Sequence, residues 1–108
     1  MNQWEIYTFE FAPEGSHPAV LVSNSDRAAR KQVVNVLFCS SQRVTREAKP
    51  TEVLLDDADG LDWLTACRCD VMYSVDKARL GKKRGVVSPH RRRAIVEKIV
   101  ASYRFNQV

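Results

Sequence analysis

The stretch TACRCDVMYS, residues 65–74, decides how the chain is read. Thr65, Cys67 and Cys69 alternate with Ala66, Arg68 and Asp70. A period of two is the mark of a β-strand, whose successive side chains point to opposite faces. One face then carries Cys67 and Cys69 into a core. The other carries Arg68 and Asp70, about 6–7 Å apart along the strand. Charges on a mostly interior strand need a reason. From these residues alone two readings stay open: a plain cross-strand ion pair, or a pair of groups assembled for chemistry.

Outward from that strand, the rest of the chain reads as more short strands. QWEIYTFEF (3–11) mixes aromatic and β-branched residues and reads as the first. APEGSHP is rich in turn residues and reads as a loop closing at Pro18. AVLVS (19–23), QVVNVLFCS (32–40) and TEVLL (51–55) read as three more strands, the middle one apolar enough to be buried on both faces. NSDRAARK between the second and third suggests a single helical turn capped by Ser25 or Asp26. GKKRGVVS is expected to hold a short sixth strand. The end differs. Ser88 and Pro89 form a helix start, with the proline at the first helical position. Ile95, Ile99 and Tyr103 recur at one-turn spacing, as do Val96 and Val100, which predicts an amphipathic helix on the strands. Five or six short strands and one helix predict a mainly β fold: a small, strongly bent antiparallel sheet or barrel.

Length and composition bound the function. The 108 residues make one domain, 1–108, and 44% hydrophobic residues supply a small core. No apolar run is long enough to span a bilayer. The first residues, MNQWEIYTFEF, lack a basic head and a continuous apolar segment, so no secretory signal is expected. Three cysteines, two of them adjacent on one strand face, read as reduced thiols of a cytoplasmic protein. Two His and three Cys offer no paired ligand spacing, so no metal site is expected. The net charge is +4. Asp56, Asp57, Asp59 and Asp62 cluster mid-chain, and Lys77, Lys82, Lys83, Arg84, Arg91, Arg92, Arg93, Lys98 and Arg104 follow. A basic second half suits a polyanion, and equally suits an ordinary solvated surface.

Three pieces in chain order resemble the MazF/PemK/Kid toxins: HPAVLVSN, then VLFCSSQRVTREAKPTEVLL, then TACRCDVMYSVDKARLGKKRGVVSP. The likeness covers nearly the whole chain. It implies an SH3-like barrel, a homodimer and a metal-independent, sequence-selective endoribonuclease of a type II toxin–antitoxin pair. The expected substrate is single-stranded mRNA, and the expected partner an antitoxin with an acidic disordered segment. No cofactor and no membrane are implied. Arg68 and Asp70 match the Arg and Asp of the Kid-type active site, and Ser40 falls where the family has its groove Thr, with Ser41 beside it. The family usually has an Arg before the Pro of the second strand; this chain has His17 before Pro18, in a shorter loop. The Gly that commonly opens the first strand is replaced by QWEIY.

The chemistry explains those residue types. RNA carries its own nucleophile, the 2′-OH, whose attack on the adjacent phosphate leaves a cyclic phosphate and a 5′-OH. The protein must supply a proton acceptor, a proton donor and positive charge for the crowded phosphorane. Arg68 offers a planar, permanently charged fork. Asp70 can hold that fork or accept a proton. A Ser40 hydroxyl can bond a phosphate oxygen, though ending a strand is the commoner task. His17 exchanges protons near neutrality, or is a loop residue without a task. Ser41, Arg43, Arg46 and Lys49 are candidates for the RNA backbone. Trp4, Tyr7 and Trp63 can stack bases, but aromatic residues at strand positions more often fill cores. The basic turn of His90, Arg91, Arg92 and Arg93 opposes the helix dipole. A CcdB-like gyrase poison on the same fold is one alternative, disfavoured by the ending YRFNQV, which lacks that group's Trp-Gly-Ile type of terminus. A catalytically impaired nucleic-acid-binding relative is the other.

Overall fold

The computed structural model describes residues 1–104; the chain's ending, residues 105–108, lies outside the described residues. Six strands form one antiparallel sheet: β1 (Glu5–Phe11), β2 (Gly15–Leu21), β3 (Val33–Ser41), β4 (Glu52–Leu55), β5 (Thr65–Asp76) and β6 (Lys83–Val86). Their order is β4-β5-β3-β2-β1-β6. A short helix α1 (Ser25–Arg30) and a longer one, α2 (Pro89–Ser102), complete the fold with two 3₁₀ turns, Asp57–Asp59 and Lys77–Arg79. The fold is a mostly β, curled half-barrel, as the strand pattern predicts.

The curl is made in β5. Cys39 pairs with Cys67, but two residues earlier on β3 Leu37 pairs with Met72. Four residues of β5, 68–71, therefore stand opposite the single residue Phe38. Such an excess bends a strand and sharpens its twist. The first half of β5 also pairs with β4, Glu52 opposite Arg68 and Val53 opposite Cys67.

Each sheet face has its own core. One holds Ile6, Val20, Leu37, Cys39, Val53, Leu55, Cys67, Cys69, Val87 and Ile95, under α2. The other holds Phe9, Phe11, Ala19, Leu21, Val34, Val36, Phe38 and Val75, with Ala28 of α1. β3 feeds both, so it reads as a continuous apolar run.

Three sequence expectations need correction. The N-cap of α1 is Asn24, whose Oδ1 accepts from the Arg27 N–H at 2.8 Å. Ser25 instead accepts from the backbone of Gln3. His17 is not in a loop: β2 begins at Gly15, and His17 pairs with Phe9. Pro18 is tolerated because the registered pairs with β3 run from Ala19, so its missing N–H falls outside that ladder. Finally, α2 buries only part of its apolar set. Ala94, Ile95 and Ile99 pack on the sheet, while Val96, Val100 and Tyr103 are exposed. Val96 follows Ile95 and is turned about 100° away on a 3.6-residue helix.

The basic start of α2 is compensated. Asp59, 1% exposed, accepts from the Ser88 N–H and hydroxyl at 2.8 Å each and from Asp56 N–H at 2.9 Å, and it is ion-paired to Arg91. Arg91 also grips Asp56 at 2.9 and 3.1 Å. Its hydrogen bonds to Asp56 hold that carboxyl below its ordinary range. The mid-chain aspartates thus pin the helix start. Gly85 makes this possible: a Cβ there would overlap the Asp59 carbonyl oxygen and stand 3.0 Å from Gly60 Cα. Both obstacles are backbone and cannot swing aside. Gly85→Ala is therefore expected to lower unfolding stability by about 1–3 kcal/mol or more, the usual cost of overpacking. Urea denaturation beside wild type checks this; an unchanged midpoint would show that β6 and the Asp57–Asp59 turn can separate freely.

Candidate functional site

Register brings the sequence candidates to one sheet face. His17 of β2 lies opposite Phe9, and Ala19 lies opposite Phe38 of β3. Two residues on from Phe38, on the same face, is Ser40, which pairs with Ala66 of β5. Two residues on from Ala66 is Arg68, opposite Glu52 of β4. His17, Ser40, Arg68 and Glu52 therefore share the face of the second core, at its margin. Phe38 joins them: its ring centre is 4.9 Å from that of His17, and it lines with Glu14, Arg68, Val71 and Tyr73 a cavity of about 150 Å³.

Arg68 and Asp70 are exposed, and among the described residues neither makes an ion pair. The alternation expected to put them on one face holds only through Cys69. Cys69 and Met72 pack on the first core and Val71 on the second, so Asp70 sits where the phase of β5 reverses. Cys67 and Cys69 point into the core as expected, and all three cysteines are free thiols. The neighbouring Cys67 sulfur and burial push the Cys69 thiol far up, which suits packing and not reactivity.

Glu52 explains why Arg68 is unpaired. It is the carboxylate that register sets opposite Arg68, and it is only 4% exposed. Arg46 has taken it. The Arg46 guanidinium donates to both Glu52 oxygens, at 2.7 and 3.1 Å, and the Lys49 N–H adds a third bond at 3.0 Å. The Arg46 hydrogen bonds hold the Glu52 carboxyl below its ordinary range against the opposing effect of burial. Arg46 Nε donates at 2.9 Å to Gln42 Oε1, and Gln42 Nε2 donates to the Ser40 carbonyl at 3.0 Å and hydroxyl at 3.2 Å. A relay thus runs from Glu52 to Ser40, whose Oγ accepts and keeps its own proton to donate. Arg46 organises this loop and is not a free cation. Gln42 and Glu52 escaped the sequence reading; the one signal, for Glu52, is an acid at the start of the apolar strand β4.

His17 donates from Nε2 to the Glu14 carbonyl at 3.1 Å. A carbonyl only accepts, so Nε2 carries the hydrogen and Nδ1 of the neutral ring is the free acceptor. Arg43 is exposed beside Ser41, and the Ser41 hydroxyl accepts from the Trp63 indole at 2.8 Å. The other aromatic candidates are occupied. Trp4 packs on the first core, and Tyr7 donates to Glu5 at 2.7 Å. Glu5 is held near 2: burial opposes its ionisation, but bonds from Lys83, Asn2 N–H and Tyr7 outweigh that. Among the described residues no three His, Cys, Asp or Glu side chains converge as metal ligands.

A family profile decides what this geometry belongs to: the family described as PemK-like, MazF-like toxin of type II toxin–antitoxin system matches residues 2–103. The chain belongs to the PemK/MazF toxin family. Solved structures share the PemK/MazF fold. A Mycobacterium tuberculosis toxin, MazF-mt6, superposes with a TM-score of 0.80 at 18% identity, covering 95% of this chain and 99% of that one. An endoribonuclease in complex with its cognate antitoxin, from a mycobacterial species, gives 0.79 at 21% identity over 98% and 99%. MazF in a MazE–MazF complex from Deinococcus radiodurans gives 0.74 at 16% over 94% and 92%. A search of curated proteins finds no significant match. No helix among the described residues is long and apolar enough to cross a membrane.

The Arg46–Glu52 pair sets a pH dependence. Because the Glu52 carboxyl titrates lower when folded than its ordinary value of 4.5, it stabilises the fold above that value. That contribution is lost as pH falls through the folded value, where the unfolded chain binds the extra proton. Glu52→Gln should therefore be less stable than wild type at pH 7, with the gap narrowing at pH 3. Thermal midpoints at both pH values check this; a constant gap would mean that the charge of Glu52 contributes nothing.

Proposed function

We propose that this chain is a metal-independent, sequence-selective endoribonuclease toxin of a type II toxin–antitoxin system, cutting single-stranded RNA in the cytoplasm. The observation that carries this reading is the unpaired Arg68 fork, on one sheet face with Ser40 and His17, in a chain of the PemK/MazF family. In this reading the RNA phosphate lies against Arg68, which meets the charge growing on its oxygens. The Ser40 hydroxyl, its Oγ already accepting from Gln42, donates to a phosphate oxygen. His17 Nδ1 takes the proton of the 2′-OH as that oxygen attacks phosphorus. The P–O5′ bond breaks, and the 5′-oxygen takes a proton from solvent. Asp70 aligns the Arg68 fork once RNA is bound. Ser41, Arg43 and Lys49 hold the strand on either side, by contacts that weaken with salt.

The partners follow from the same reading. The exposed Val96, Val100 and Tyr103 of α2 give the homodimer an apolar face to bury. An antitoxin with an acidic, disordered segment would order over the basic site and mask it, by charge complementarity.

The test is cleavage of a long RNA by purified protein with chelator present. Cyclic-phosphate and 5′-OH ends support the reading; binding without cleavage would make the chain an impaired relative, and poisoning of gyrase a CcdB-like protein. Arg68→Ala should cut the rate about 10²-fold or more with folding intact, the scale of losing one preorganised charge donor. A folded Arg68→Ala that cuts at the wild-type rate would place the chemistry elsewhere.

As a base, His17 can accept the proton only when its ring is neutral, so the rate should rise with pH. His17→Arg removes that rise while still offering charge to the phosphate. A pH–rate profile of His17→Ala that overlays wild type in height and shape would remove His17 from the mechanism.

A further inference from the structure

Trp63 is left on the surface. It is 57% exposed, although a buried aromatic ring is among the largest stabilising contributions a core can gain. It lies before β5, outside the strand, so sheet packing does not account for its position. Its mounting is rigid. The Trp63 carbonyl accepts from the hydroxyl of buried Thr65 at 3.0 Å. The next carbonyl, of Leu64, accepts from the Gln42 N–H at 2.8 Å. The indole N–H donates at 2.8 Å to Ser41 Oγ at the end of β3. Both ends of the residue are therefore fixed while its ring face is open. The neighbouring Asp62 is turned toward Arg84, at 4.0 Å.

The ring borders an open cleft of about 460 Å³ lined by Ser41, Gln42, Arg43 and Trp63, a size within the usual range for small-ligand sites. It adjoins the candidate site directly. Ser41 follows Ser40, and Gln42, one wall of the cleft, bonds the Ser40 hydroxyl. Arg43 adds a guanidinium that suits a phosphate or a π-face. A fixed aromatic face beside a cation, next to a proposed phosphate site, has the chemistry of a stacking platform for an unpaired base.

We propose that Trp63, flanked by Arg43, forms a subsite that stacks one unpaired base of the RNA next to the phosphate held at Ser40 and Arg68. This rests on the ribonuclease reading for its ligand, but it makes a separate claim about binding. The subsite requires a base whose face is free, so it selects single strands over duplexes. The rigid indole avoids the entropy cost of ordering a flexible side chain on binding.

The test uses binding in place of cleavage. The probe is a fluorescein-labelled, mixed-sequence DNA oligonucleotide of about ten nucleotides, which lacks the attacking 2′-OH. Binding is followed by anisotropy for wild type, Trp63→Ala and Trp63→Phe, each first shown to be folded by circular dichroism. Stacking predicts that Trp63→Ala weakens binding about 5- to 100-fold, the range seen when a stacked aromatic is removed. Trp63→Phe keeps a ring without the Ser41 hydrogen bond and should retain most of the affinity. An unlabelled duplex should compete poorly. The proposal fails if Trp63→Ala binds within twofold of wild type, if Trp63→Phe is as weak as Trp63→Ala, or if wild type does not bind the oligonucleotide. The two readings separate cleanly. Cleavage of RNA with an unaffected Trp63→Ala would overturn the platform alone. Trp63-dependent binding without RNA cleavage would overturn the ribonuclease alone.

Discussion

The register break between β3 and β5 is the constraint from which the rest of the structure follows. Four residues of β5 face the one residue Phe38, so β5 cannot continue straight beside β3. Before the break its even-numbered residues share the face of Phe9 and Phe38; after it the odd-numbered ones do. The bend lets one strand serve two cores, with Cys67 and Cys69 under α2 and Val71 and Val75 on the opposite face. It also frees Arg68 and Asp70 from the need to pack, because they stand at the turn of the strand. Sheet bulges beside functional sites re-aim side chains in this way.

Several of the charges in this protein serve its architecture. Arg91 ties the 3₁₀ turn to α2, and Lys83 neutralises the nearly buried Glu5. Lys77 donates to the last carbonyls of α1, and Lys98 donates to the Pro50 carbonyl. Arg46 occupies Glu52. A basic composition is therefore a poor guide to where a polyanion would lie. The informative residues are those that the fold leaves unpaired, Arg68 first among them. Arg46 matters to Arg68 by removing its cross-strand partner, so one ion pair keeps another from forming.

The loop from Gln42 to Thr51 joins these two themes. Its conformation is fixed by bonds from Arg46 and the Lys49 N–H to Glu52, from Arg46 to Gln42 and from Gln42 to Ser40. The same segment supplies Arg43 to the Trp63 cleft. Positioning of the Ser40 hydroxyl and the opening of the cleft thus depend on one network of short, local bonds. Loops held by such networks can carry function without losing precision.

The sequence alone determined the elements and much of the family likeness. Strand alternation, the apolar run of β3 and the Ser88–Pro89 helix start are local signals, set by side-chain period and backbone chemistry. The inward direction of Cys67 and Cys69 was legible for the same reason, whereas the shared face expected for Arg68 and Asp70 was not, because the phase of β5 reverses at Asp70. Other features were decided only in three dimensions. His17 looked like a loop residue because Gly15 and Pro18 flank it, and only pairing with β1 made it part of a strand. Arg46 looked free because Glu52 lies six residues away, across a loop whose path no periodicity describes. The reversal at Asp70 follows from a β3–β5 register that strand-local patterns do not encode. Trp63 reads as core by composition, and its exposure depends on what fails to cover it. Local chemistry fixes which side chains alternate and cap; only the long-range register decides which charges meet, and which stay unpaired.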